Sequence, residues 1–176
     1  VKVFWGLDDK LAFSRHFPAI NWLTSYSLYQ QQVDAYADGM LQNKWATTRK
    51  RAMTILQREA ELDELVRLVG MDALAWEDRL LMQAAKMVRE DFLHQNAFDD
   101  RDTYTSLPKQ LRLLSAILHY YDDARAALAA GAELSKLLSL ETLGDIAHAK
   151  LIAEDAPGDF DALKKKFSEE IAALPK

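Results

Sequence analysis

Three aromatic residues stand where regular helices do not. Phe17 precedes Pro18, whose ring restricts Phe17 toward extended backbone. Phe98 and Tyr104 flank a break between two helical stretches. Flat apolar rings on such connections can sandwich another flat ring, such as a nucleobase. They can also plug the end of a helical bundle, and spacing alone favours the plug. Other reactive patterns are missing. There is no glycine-rich phosphate loop, no H-E-x-x-H and no G-x-S-x-G, so no catalytic residue is assigned. His16, His94, His119 and His148 are far apart without ligand spacing, which predicts structural or surface roles and no metal site. Asp99, Asp100 and Asp102 are crowded, and helix capping or loop solvation explains them better than metal binding. Without cysteine, disulfides and thiol chemistry are excluded.

The elements that hold these residues read as helices. Among 176 residues there are only 6 Gly and 4 Pro, too few breaks for a many-turned β fold. Hydrophobic residues reach 49% and charged residues 28%, the balance of a folded domain. The net charge of -5 is spread with interspersed signs. Lys164-Lys165-Lys166 sits among acids on a solvated helix face, so no nucleic-acid partner is expected. No apolar run approaches a membrane span, and direct membrane insertion is not expected.

Residues 1–24 read as irregular, opening on Val1-Lys2-Val3-Phe4-Trp5, a strand expected to have lost its partners, as in an excised fragment. Ser25 or Ser27 is the expected cap of a helix through Tyr29, Val33 and Tyr36 toward Gly39. A second helix begins near Trp45, with Leu62, Leu65, Val66 and Val69 on one face and Gly70 as its stop. A third runs from about Trp76 to Asn96 and buries Leu81, Ala84, Ala85, Val88 and Phe92. A long helix from about Lys109 to Ala130 carries Leu111, Leu114, Leu118 and Tyr121. Weaker helices follow, the last two parted by Pro157-Gly158. The expected fold class is all-α, an antiparallel helical bundle, with a short N-terminal strand or irregular segment.

Several blocks go beyond pattern. Phe4-Trp5-Gly6-Leu7-Asp8 and Arg15-His16-Phe17-Pro18-Ala19-Ile20-Asn21-Trp22-Leu23-Thr24-Ser25-Tyr26-Ser27 resemble the C-terminal region of the catalytic A (alpha) chain of V/A-type rotary ATP synthases. Arg89-Glu90-Asp91-Phe92-Leu93, continuing through Gln95-Asn96-Ala97-Phe98 to Asp102-Thr103-Tyr104, resembles the same family. The stretch commonly reads Gln-Gln-Asn-Ala-Phe there, and His94 replaces the first Gln here. The resemblance extends to about Ala147 and is weak beyond.

The resemblance implies that residues 1–24 end a truncated α/β nucleotide-binding domain and residues 25–176 form the C-terminal helical bundle. It implies that Phe17, Phe98 and Tyr104 are an adenine clamp with Gln95 as a polar neighbour. ATP or ADP with Mg²⁺ would bind the full-length chain, with no cofactor expected on this fragment and no hydrolysis by it alone. Met71-Asp72-Ala73-Leu74-Ala75-Trp76-Glu77-Asp78 takes the place of the acidic motif that meets the central stalk, with Asp72, Leu74, Trp76, Glu77 and Asp78 as contacts. An ordinary helix N-terminus, with Glu77 and Asp78 favoured by the helix dipole, is compatible with that role. Implied partners are B (beta) chains of the catalytic ring and central-stalk subunits, in a peripheral complex on the cytoplasmic side of the membrane. The coupled functions are ATP synthesis or hydrolysis and ion transport. Two other classes compete: a free-standing non-enzymatic helical adaptor, and a self-sufficient ATP-binding protein, which the missing phosphate loop argues against.

Overall fold

A computed structural model describes residues 1–175. The N-terminal segment holds β1 (Val3–Phe4), α1 (Asp9–Phe13) and β2 (Tyr26–Ser27). The expectation of a strand without partners is corrected here: β1 pairs antiparallel with β2, Val3 opposite Ser27 and Phe4 opposite Tyr26. Outside β1, α1 and a bridge between Leu7 and Ile20 the segment is irregular, as expected, and side chains tie it together. Asp8 caps α1 by accepting from the amides of Lys10 and Leu11. Asn21 donates through Nδ2 to Asp8 at 2.9 Å, accepts from the amides of Leu23 and Thr24, and gives its own amide to the Gly6 carbonyl at 2.7 Å. Gly6 lies so close to this knot that a Cβ there would sit 2.5 Å from Thr24 Oγ1. Neither serine caps the next helix. Ser25 Oγ accepts from the Gly6 amide and Ser27 Oγ from the Tyr29 amide, one turn too early.

The bundle consists of α2 (Gln30–Met40), α3 (Trp45–Val69), α4 (Trp76–Met87), α5 (Asp100–Thr103), α6 (Leu107–Ala129), α7 (Leu134–Leu137), α8 (Thr142–His148) and α9 (Gly158–Ala172). This bears out the all-α class. At its centre is α6, packed on α3, α4 and α9. Besides Leu111, Leu114, Leu118 and Tyr121, it buries a second stripe, Leu113, Ile117, Tyr120 and Ala124, because helices cover it on several sides. Tyr120 donates its hydroxyl to the Leu137 carbonyl at 2.9 Å and meets Phe167 of α9 edge to face. At about 1.5–3 kcal/mol per large buried apolar side chain, this cluster is the main source of stability.

The expected face of α3 is half right. Ala52, Ile55, Leu56, Glu59 and Leu62 are buried, whereas Leu65 and Val69 are exposed. The helix is 25 residues, about 37 Å at 1.5 Å per residue, and its last turns form a tip with the start of α4. Gly70, at φ +86°, ends it in a backbone conformation that favours glycine. A 3₁₀ turn, Met71–Ala73, leads back into α4.

Candidate functional site

Two segments meet at the side of the bundle. One carries Phe17, between the Asp8–Asn21 knot and a buried His16. The other is the connection from the end of α4 to α6. There α4 widens into a π-helical turn, Val88–Leu93. The Arg89 carbonyl accepts from the His94 amide at 2.9 Å and from His16 Nε2 at 2.8 Å. A carbonyl cannot donate, so His16 Nε2 is the donor in this bond. The His16 ring packs 5.0 Å from His94 and 5.8 Å from Trp22. The Arg89 guanidinium grips Glu59 of α3 through Nε at 3.1 and 3.2 Å and Nη2 at 3.0 Å. Burial pushes the Glu59 carboxyl up and Arg89 opposes it. Removing one side of such a pair typically costs about 3–5 kcal/mol, since the other charge is left unpaired.

The connection itself is folded by aspartates. Asp99 caps α5 through the Arg101 amide, and the Arg101 side chain and amide hold its carboxyl down to about 2. Asp102, 4% exposed, accepts from the Asn96 amide at 2.6 Å, and Thr103 Oγ1 donates to the Asn96 carbonyl at 3.1 Å. Lys109, 1% exposed, donates to the Arg101 carbonyl at 2.6 Å. The acidic cluster therefore works as caps and loop ties. Among the described residues no group of three His, Asp or Glu has the geometry to hold a metal ion.

One backbone bond joins the two segments. The Gln95 amide donates to the Phe17 carbonyl at 2.8 Å. Phe17, Phe98 and Tyr104 are all exposed, and Phe98 is fully so. None of the three stacks on another aromatic ring among the described residues, so they do not plug the bundle end. Gln95 is exposed beside a cleft of about 200 Å³ lined by Pro18, Phe92, Gln95, Asp102 and Gln110. That is below the ~300–1,000 Å³ of a small-molecule pocket, so the cleft takes at most part of a ligand. A larger groove, about 340 Å³ between α6 and α9, is lined mainly by alanines and none of these aromatics.

At the tip, Asp72, Trp76 and Glu77 are exposed, together with Leu68, Val69 and Met71. Asp78 is half-buried and reaches Arg58 at 3.5 Å. Leu74 is turned inward at 8% exposure.

The family model described as the C-terminal domain of V and A type ATP synthase matches residues 34–138. The chain belongs to that family. Curated V-type ATP synthase alpha chains resemble it along nearly its whole length. That of Clostridium botulinum (strain Langeland) is 51% identical over 174 residues, and that of Acetivibrio thermocellus 50% over 175, each covering 99% of this chain. A third, from Clostridium botulinum (strain Alaska E43), is 56% identical over 156 residues. The chain spans about 30% of the length of the first relatives. No helix among the described residues of this V/A-type C-terminal domain is long and apolar enough to cross a membrane.

Sequence reading missed two groups that fold the Phe17 segment, Asp8 and Asn21. Asn21 before Trp-Leu-Thr carries an Asx-turn signal, and Asp8 before α1 a capping signal. The partner of His16, the Arg89 carbonyl, is distant in sequence, and nothing local marks it.

One carboxylate in the joint is costly. Burial, against the pull of Lys150, pushes the Asp91 carboxyl from 3.8 to about 6. The folded chain thus holds this proton more tightly than the unfolded chain. Stability from this group is present below about pH 4 and is lost as pH rises through about 6, by about 2–3 kcal/mol. Asp91→Asn should abolish that slope. Melting followed from pH 4 to 7 should show the variant gaining on the parent as pH rises; parallel curves would refute the assignment.

Proposed function

We propose that this chain is the C-terminal region of the catalytic A (alpha) chain of a V/A-type rotary ATPase. It supplies the adenine side of the nucleotide site and passes nucleotide-driven movement to the central stalk. The observation that carries the reading is the bond from the Gln95 amide to the Phe17 carbonyl, which ties the segment of one exposed ring to the loop of the other two. In this reading Phe17, Phe98 and Tyr104 hold the base by stacking, at about 0.5–1.5 kcal/mol per well-placed aromatic pair, with Gln95 as polar neighbour. The residues fit a base and not the phosphates: no glycine-rich loop is present in the sequence. Phosphates and Mg²⁺ are then met by other parts of the parent chain.

Residues 1–24 close the nucleotide-binding domain and residues 25–176 are the lever. The exposed apolar side chains of Trp5, Leu7 and Phe13 fit burial against the rest of that domain. Base binding at the joint favours one orientation of the lever, and the tip transmits it to the stalk. The partners are B (beta) chains and central-stalk subunits, and the complex is peripheral, on the cytoplasmic side of the membrane, coupling ATP turnover to ion transport.

Photolabelling tests the nucleotide half. In an assembled rotary ATPase whose alpha chain carries this sequence, 2-azido-ATP should label the peptide holding Phe98 and Tyr104, and excess ATP should suppress it. Labelling confined to other peptides would remove the rings from the site.

A further inference from the structure

The loop that carries Phe98 and Tyr104 is fastened from outside by a segment far along the chain and beyond the family match at residue 138. A 3₁₀ turn, Ala149–Leu151, follows α8. From it, Lys150 Nζ donates to the His94 carbonyl at 3.1 Å and to the Glu90 carbonyl at 3.3 Å. These carbonyls end the π-helical turn, where backbone acceptors lack helical donors and a cation is favoured. Lys150 also lies 4.0 Å from Asp102 Oδ2, the oxygen that accepts from the Asn96 amide. A few residues on, Glu154 accepts from both the Ser106 amide, at 2.9 Å, and Ser106 Oγ, at 2.6 Å. The two side chains thus clasp both ends of the loop, His94 at its start and Ser106 at its close.

We propose that Lys150 and Glu154 are positioning residues of the nucleotide site: the 149–154 segment is a strap that sets where Phe98 and Tyr104 stand relative to Phe17. The proposal rests on the adenine reading above. It assigns the region after α8 a role in nucleotide affinity without contact with nucleotide. Lys150 acts through carbonyls and a carboxylate that only a cation of suitable reach satisfies together. Glu154 acts through Ser106, the cap of α6, two residues after Tyr104.

Hydrogen exchange on this chain reads the strap without nucleotide. Lys150→Met should speed exchange at Asn96 and Tyr104 by roughly tenfold, the loss expected for a charge-assisted bond, with core amides of α6 unchanged. Lys150→Arg should restore much of the protection. Glu154→Gln, at an exposed contact, should loosen the Ser106 end without threatening the fold. In the assembled ATPase carrying this sequence, Lys150→Met should raise KM for ATP by roughly five- to tenfold at nearly constant kcat, since a loosened loop weakens base binding and leaves phosphate chemistry intact. Unchanged loop exchange in both Lys150→Met and Glu154→Gln overturns the strap. Faster exchange with unchanged KM, in an enzyme that loses affinity when Phe17 and Phe98 are replaced, overturns its positioning role. If that Phe pair is itself silent, the adenine reading has failed, and the positioning role falls with it.

Discussion

Replacing Phe17 and Phe98 together by alanine in the assembled enzyme should weaken nucleotide binding by roughly ten- to a hundredfold. Each ring contributes one stacking face, and base–aromatic stacking is worth about 1–3 kcal/mol per base. Both rings are exposed and contribute little to the core, so melting should move little. That contrast separates a binding role from a structural one. The measurement is ADP affinity by calorimetry, with inorganic triphosphate as the control ligand. Triphosphate affinity should be unchanged, because phosphate contacts lie elsewhere in this reading. An ADP affinity equal to that of the parent would sink the clamp. Equal losses for ADP and triphosphate would also sink it, since the damage would then not be specific to the base.

Helices were legible because they depend on local spacing, and the joint was not because it depends on distant partners. Periodicity located α6, but its second stripe is buried only because α9 returns to cover it, a contact that links Phe167 to Tyr120. Periodicity also put Leu65 and Val69 in the core. They have the right spacing, yet α3 outruns the helices beside it, and spacing carries no information on where a neighbour stops. The strand at Val3–Phe4 was legible, whereas its partner at Tyr26–Ser27 is only two residues long and reads as part of a helix cap. The three rings were singled out from their irregular positions. Their support was hidden, since Lys150 binds backbone carbonyls, which every residue type offers, and no sequence pattern announces such a bond. His94 has the same lesson. It replaces a Gln in the stretch that resembles the family, and the ring it meets, His16, lies far away in sequence. Burial pushes its imidazole toward the neutral form, with Lys150 and His16 adding to the effect.

A disulfide from the tip to the stalk should stop the enzyme. The chain has no cysteine, so Glu77→Cys supplies one thiol at a known place. Glu77 is the right position because it is exposed on the first turn of α4, next to exposed Trp76. Leu74 is inside, and Asp78 is engaged by Arg58, so changing either would disturb the tip itself. Paired with a cysteine placed on the central stalk, Glu77→Cys should lose nearly all ATPase activity on oxidation and regain it on reduction. The size of the effect follows from the proposed mechanism: a rotor joined covalently to one lever could not complete a turn, so steady-state turnover would be blocked while a single nucleotide could still bind. Nucleotide affinity at the first site should therefore survive the cross-link. Full turnover in a cross-linked enzyme would mean that the tip does not ride on a moving part. Loss of affinity along with turnover would mean that the tip and the joint are not the two ends of one lever, because a lever held at its tip still presents Phe98 and Tyr104 to a base that meets Phe17 on the nucleotide-binding domain.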